Sequence, residues 1–209
     1  MEHWGSIRVQ RLALADQLDG LDPGQWSTPS LCGAWDVHQV AAHLIVPHVV
    51  TPPTFLKAMV RARGRFERAN VAMTARVATA TDAELVADLR RYADSRAKPP
   101  IFTSVAPLTE ILVHGQDIQV PLALEVAPVV DLWRASLAFL VQPRARRGFV
   151  SRRLDGLRLV ASDCEWAHGT GDEVRGPARA LALGVLGRTA RRDELSGPGA
   201  SRLGGSTPG

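Results

Sequence analysis

The sequence predicts a mainly α protein, an antiparallel four-helix bundle followed by a small α+β domain, and three observations carry that expectation. Two helix starts are written as capping boxes, Asp36 with Gln39 and Thr81 with Glu84, each followed by an apolar stripe at helical spacing. Prolines cut the first part of the chain into helix-length pieces, at Pro47, Pro52-Pro53, Pro99-Pro100 and Pro107. Beyond the segment Pro143 to Arg147 the pattern changes to short β-type runs with glycine turns. The expected organisation is a bundle over 1–143, an α+β domain over 144–203, and a disordered tail over 204–209.

Each element has its own reason. Ile7, Leu12, Leu14, Leu18 and Leu21 fall near helical spacing and predict a first helix over Ser6 to Leu21, stopped by Asp22-Pro23-Gly24. A loop runs to Trp35. Asp36 then opens a second helix with Val37, Val40, Ala41 and Leu44 inside, and Pro47 predicts a kink or an end. Pro52-Pro53 opens a long helix from Thr54 to Ala78. Thr81 opens another, with Leu85, Val86, Leu89 and Tyr92 as its apolar positions. Pro107 suits a first helical position, where its missing amide costs nothing, and the helix runs to Val120. A last bundle helix is expected over Val129 to Leu140. In the α+β part, strands are expected at Leu157–Ala161, Asp163–Ala167 and Glu173–Arg175, then a helix from Pro177 to Leu186 closed by Gly187.

Composition narrows the function classes. Of 209 residues, 45% are hydrophobic and 22% charged, which is enough apolar material for a core without staples. Of the 25 basic residues only Lys57 and Lys98 are lysines, a skew expected from GC-rich coding, and the net charge is +4. Arginines cluster at Arg61, Arg63, Arg65 and Arg68, and again at Arg144, Arg146, Arg147, Arg152 and Arg153. Neither cluster carries a docking motif, so the reading is a solvated helix face and a basic linker, with no nucleic-acid partner. No segment has the length of a membrane span and no membrane partner is expected. Two separated cysteines, Cys32 and Cys164, without CxxC spacing indicate a cytoplasmic protein with reduced thiols. Monomer and homodimer remain open.

Chemistry concentrates on the helix after Pro107. Glu110 and His114 are four residues apart, one turn apart on one helix face. A carboxylate and an imidazole so placed can share a divalent ion, and they are equally a plain polar pair. His43, facing inward beside Val40 and Leu44, supplies a third donor or is a hydrogen-bonded core histidine. Together the three would leave coordination positions open, the catalytic type of site. Asp117, three residues after His114, is placed to orient that imidazole or to sit on the surface. His38 and His48 lie five residues from His43 and turn away from its face. Cys32 has no base among its sequence neighbours and reads as a small core residue.

Three stretches carry a family resemblance. Thr28-Pro29-Ser30-Leu31-Cys32, Trp35-Asp36-Val37 and Ala41-Ala42-His43-Leu44 resemble the N-terminal signature of the mycothiol-dependent maleylpyruvate isomerase family. Pro107-Leu108-Thr109-Glu110 with Leu112-Val113-His114-Gly115-Gln116-Asp117-Ile118 resembles its second signature, and Gly169 to Ala178 resembles the small domain that follows. The resemblance implies a DinB-like metal-binding bundle with His43, Glu110 and His114 as metal ligands and zinc as the metal. It departs from the pattern at Gln119, where many relatives have a basic residue, and at Ala123, where glycine is usual.

What the resemblance implies about activity is thiol chemistry. The metal would hold mycothiol, an actinobacterial low-molecular-weight thiol, as a thiolate cosubstrate for addition to a small electrophile. Addition followed by elimination makes an isomerase, and addition alone an S-transferase. Arg175 is a candidate anchor for an anionic substrate. The alternative is a non-catalytic metal-binding or ligand-sensing bundle, which needs the same three ligands.

Overall fold

The computed structural model describes residues 2–33, 35–98, 101–146 and 154–204. These form two compact units, Met1–Glu125 and Val126–Gly209.

The first unit is helical. Helix α1 (Trp4–Asp19) buries Ile7, Leu14, Ala15 and Leu18 along one stripe. A 3₁₀ turn, Gln25–Ser27, seats Trp26 in the core, and α2 (Val37–Val49) follows. Its capping box is formed as written, with Gln39 N–H donating to the Asp36 side chain and Asp36 N–H donating to Gln39 Oε1. Pro47 does not end α2. It lies inside the helix, which continues to Val49, although its ring nitrogen cannot donate to the His43 carbonyl one turn back.

The expected helix from Thr54 to Ala78 is two helices, α3 (Pro52–Arg61) and α4 (Phe66–Val77). The break is a Schellman-type stop. Gly64 N–H donates to the Met59 carbonyl and Arg63 N–H to that of Val60, with Arg63 in the left-handed region at φ 53°. Then come α5 (Asp82–Arg91), whose Thr81–Glu84 capping box is also formed, and α6 (Val105–Gln119). Helix α6 starts two residues earlier than expected, so Pro107 occupies the third helical position, where the amide still has no intrahelical partner.

Four helices, α1, α2, α5 and α6, make the bundle: α1 and α2 each pack on both α5 and α6, while α4 packs on α2 and α3 on α4. Their shared core holds Leu14, Leu18, Val40, Ala41, Ile45, Leu85, Leu89, Ile111 and Ile118. Each such side chain, fully buried, contributes roughly 1.5–3 kcal/mol of transfer free energy. A smaller core of Val46, Ala69 and Met73 holds α4 to α2. Arg11 is buried on α1 and its Nη1 donates to the carbonyls of Tyr92, Ala93 and Ser95, which follow the last turn of α5.

The second unit begins with α7 (Val130–Leu140) and a short helix α8 (Pro143–Arg146). The sequence assigns α7 to the bundle; in the structure it packs along α9 (Ala178–Val185), burying Trp133, Leu137 and Leu140, and so stands with the C-terminal unit. Between α7 and α9 a three-stranded sheet has the order β2-β1-β3, with β1 (Leu157–Ala161), β2 (Ala167–Gly169) and β3 (Asp172–Gly176). Strands β1 and β2 pair antiparallel with Leu159 opposite His168. Strands β1 and β3 pair parallel with Leu159 opposite Val174.

The second strand is a correction to the expected Asp163–Ala167, because Asp163 to Glu165 form a bend. There Ala178 N–H donates to the Asp163 carboxylate, and pairing with β1 starts only at Ala167. Gly171, φ 118°, closes the turn into β3 against the Gly156 carbonyl, which a Cβ would strike. A last helix, α10 (Ala200–Gly204), ends the described chain; the expected tail beyond 204, and residues 147–153 of the basic linker, lie outside the described residues.

Candidate metal centre

The structure brings His43, Glu110 and His114 together. One ligand atom from each lies within 4.8 Å of those of the other two. Helix periodicity explains two of the three, since Glu110 and His114 stack one turn apart on α6. The third comes from the packing of α2 on α6, which sets the rings of His43 and His114 edge to face with centroids 4.8 Å apart. Among the described residues only one further such group occurs, Cys32 with His114 and Asp117, and it shares His114.

Both imidazoles are held through Nδ1. His114 Nδ1 is 2.9 Å from Asp117 Oδ2, and Asp117 is fully buried. His43 Nδ1 is 3.3 Å from Thr74 Oγ1 on α4, and Trp35 lies against the His43 ring with centroids 5.0 Å apart. Fixing one ring nitrogen by a hydrogen bond is how metal-binding histidines are aimed through the other.

The electrostatics favour positive charge at this point. Burial opposes a charge on His114, but its hydrogen bonds to Asp117 and Cys32 and the charges of Asp117 and Glu110 outweigh it, lifting its pKa to about 10. Burial pushes the Glu110 carboxyl above the usual carboxylate range, against the pull of His114. One carboxylate and two imidazoles is the mixed donor set of catalytic divalent sites, so these residues fit a metal such as zinc.

Two residues near the site differ from their sequence reading. Cys32 has no base beside it in sequence, yet the loop that carries it docks on α6: Leu31 N–H donates to the Asp117 carbonyl, and the Cys32 thiol reaches His114. Nothing in its local sequence signals this contact, which depends on the loop before α2 crossing α6. His48, expected to turn away, does so. Its Nδ1 is 3.0 Å from Ser95 Oγ and its ring stacks on Tyr92. It shares with Arg11 and Glu110 a cavity of about 30 Å³, room for about one water.

The two departures noted in sequence acquire physical content. Gln119 accepts from Gln116 and donates to Gln17, a relay that a basic side chain, lacking an acceptor, could not complete. Ala123 adopts φ 52° at the close of α6, with Leu124 N–H donating to the Gln119 carbonyl, a conformation that favours glycine. Arg175, on β3, donates to Glu173 Oε1 at 3.0 Å, so an anchoring role for it would compete with that pair.

Residues 7–99 match the family model described as the mycothiol maleylpyruvate isomerase N-terminal domain. The match includes His43 and stops before Glu110 and His114. Two crystal structures share the fold. One, of a mutant of the mycothiol-dependent maleylpyruvate isomerase, has a TM-score of 0.61 at 15% identity, covering 99% of this chain and 93% of that one. The other, of the mycothiol-dependent maleylpyruvate isomerase itself, has a TM-score of 0.58 at 16% identity with the same coverages. No curated relative matches the chain. No described helix is long and apolar enough to cross a membrane.

Proposed function

We propose that this chain is a divalent-metal-dependent enzyme that uses mycothiol as cosubstrate on a small electrophile, as an isomerase or an S-transferase, in the cytoplasm. The observation that carries the reading is the convergence of His43, inside the family-type domain, with Glu110 and His114 outside it. These three would hold the metal, with zinc the expected ion. Bound there, it would supply Lewis acidity that keeps a thiol deprotonated near neutral pH.

The chain's own residues do the rest. Asp117 and Thr74 fix the two imidazoles and so set the direction of approach to the site. Trp35 lies against the His43 ring and covers that side of it. Cys32 stands at His114 as a second thiol and would compete with an incoming one for the same surroundings.

The alternative, a metal-binding or ligand-sensing bundle without turnover, draws on one observation: the cavity bordering Glu110 is only about 30 Å³, too small for a cosubstrate. The two readings separate in one experiment on purified protein. Metal content is measured in the wild type and in His114→Ala, and maleylpyruvate and common electrophiles are then assayed with and without mycothiol. The enzyme reading requires about one metal per chain, its loss in the variant, and turnover that needs the thiol. Metal without turnover, and no sulfur-to-metal charge-transfer band when mycothiol is added to cobalt-loaded protein, leaves the binding bundle.

A further inference from the structure

Helices α3 and α4 border an open cleft of about 350 Å³ lined by five cations and Thr54: Lys57 and Arg61 come from α3, Arg63 from the turn, Arg68 and Arg76 from α4. The floor is alanines and Met73, and no acidic side chain lines it. In sequence these arginines read as a solvated helix face. The structure keeps them exposed and also sets them around one concavity, because the chain reverses at Ala62–Arg65 and brings the Lys57/Arg61 stripe of α3 opposite the Arg68/Arg76 stripe of α4.

The contrast with other surface arginines is direct. Arg90 pairs with Asp16 and Asp19, Arg8 with Asp94, and Arg191 with Glu194. Among the described residues, none of the five cleft cations has an acidic partner. Five like charges around one hollow repel each other, and an anion removes that repulsion while gaining several charge-assisted hydrogen bonds. Arg63 adds to the pattern. It holds the left-handed position beside Gly64, a conformation that disfavours a bulky side chain, and from there it contributes to the rim.

We propose that the α3–α4 cleft is a binding site for a small organic polyanion bearing at least two phosphate or carboxylate groups, separate from the metal centre. The size is that of a small-molecule site. The rim offers forked guanidinium groups, which suit both kinds of anion. A nucleic-acid strand is disfavoured because no aromatic ring lines the cleft for a base to stack on. The cleft shares no residue with the metal cluster. The nearest link is Met73 in its floor, adjacent in sequence to Thr74, whose hydroxyl meets His43.

The test is calorimetric titration with pyrophosphate and, separately, with citrate, at fixed ionic strength. The proteins are the wild type, Arg61→Ala/Arg68→Ala, Lys57→Ala/Arg76→Ala, and Arg144→Ala as a control from the other arginine cluster. All substituted side chains are exposed, and melting curves confirm folding of each variant. The proposal expects one equivalent of at least one anion to bind wild type in the sub-millimolar range; which anion binds tells phosphate from carboxylate. It expects about ten-fold or greater weakening in each double variant and no change in Arg144→Ala. No heat with either anion, or equal binding in the folded double variants, overturns it. So does tight binding of single-stranded DNA or anionic lipid vesicles that pyrophosphate and citrate fail to displace.

Discussion

The fully buried carboxylate of Asp117 lies 2.9 Å from Nδ1 of His114, on the same helix and three residues on. That contact fixes which nitrogen of His114 faces the Glu110 side. Asp117→Asn keeps the shape and removes the charge. It is expected to weaken divalent-metal affinity by about 10- to 100-fold, read by competition with a chromophoric chelator. An unchanged affinity would show that Asp117 serves packing alone.

Removing the metal is expected to leave the fold standing. The core that joins α1, α2, α5 and α6 buries Leu14, Leu18, Ile45, Leu85 and Ile118 independently of the three ligands. A zinc finger, by contrast, has no such core and unfolds without its ion. Far-ultraviolet circular dichroism before and after chelation reads this. Helical signal retained is the expected result, and its collapse would make the centre structural.

His48 gives a pH dependence of known sign. Its pKa is pulled from 6.5 down to about 4, first by burial and then by the charge of Arg11. Arg11, Glu110, Ser95 and Tyr92 are the polar and titratable groups that face it. Between those two values the unfolded chain binds a proton that the folded chain does not, so stability rises with pH across the window. The contribution is fully present above pH 6.5 and is lost as pH falls toward 4. Urea midpoints measured across this range should fall less steeply on acidification in His48→Gln than in wild type. Parallel slopes would show that His48 protonates without consequence.

Ala123 is held at φ 52° with no glycine to ease it. The left-handed conformation costs an L-residue roughly 1–2 kcal/mol, partly offset by glycine's greater freedom in the unfolded chain. Ala123→Gly is therefore expected to stabilise by up to about 1 kcal/mol, seen as a higher urea midpoint at unchanged slope. A lower midpoint would mean that the Ala123 methyl packs more than its backbone strains.

Legibility in the sequence followed the range of the interactions. Capping boxes at Asp36 and Thr81 and the one-turn pairing of Glu110 with His114 are local, and the structure forms them as written. The stop at Arg63 was hidden because an arginine, not a glycine, takes the left-handed position, and the adjacent Gly64 alone is weak punctuation. Cys32 at His114 depends on a loop crossing a helix about eighty residues on in sequence, which no spacing rule reaches. Helix α7 carries an apolar stripe that says it is buried but not against what, and so it was assigned to the wrong neighbour. The arginines of α3 and α4 are periodic in sequence, yet their convergence appears only once the chain turns back.

The three carbonyls gripped by Arg11 belong to the backbone of Tyr92, Ala93 and Ser95. The contact therefore uses backbone alone on one side and a particular side chain on the other. At Ala93, itself buried, the acceptor stays in place only if the side chain remains small. At position 11 one charged nitrogen, Nη1 at the end of a long side chain, meets all three, and a shorter or uncharged side chain would leave them without that donor. The join between the first and fifth helices thus rests on one guanidinium, and removing it would strand three carbonyls at once.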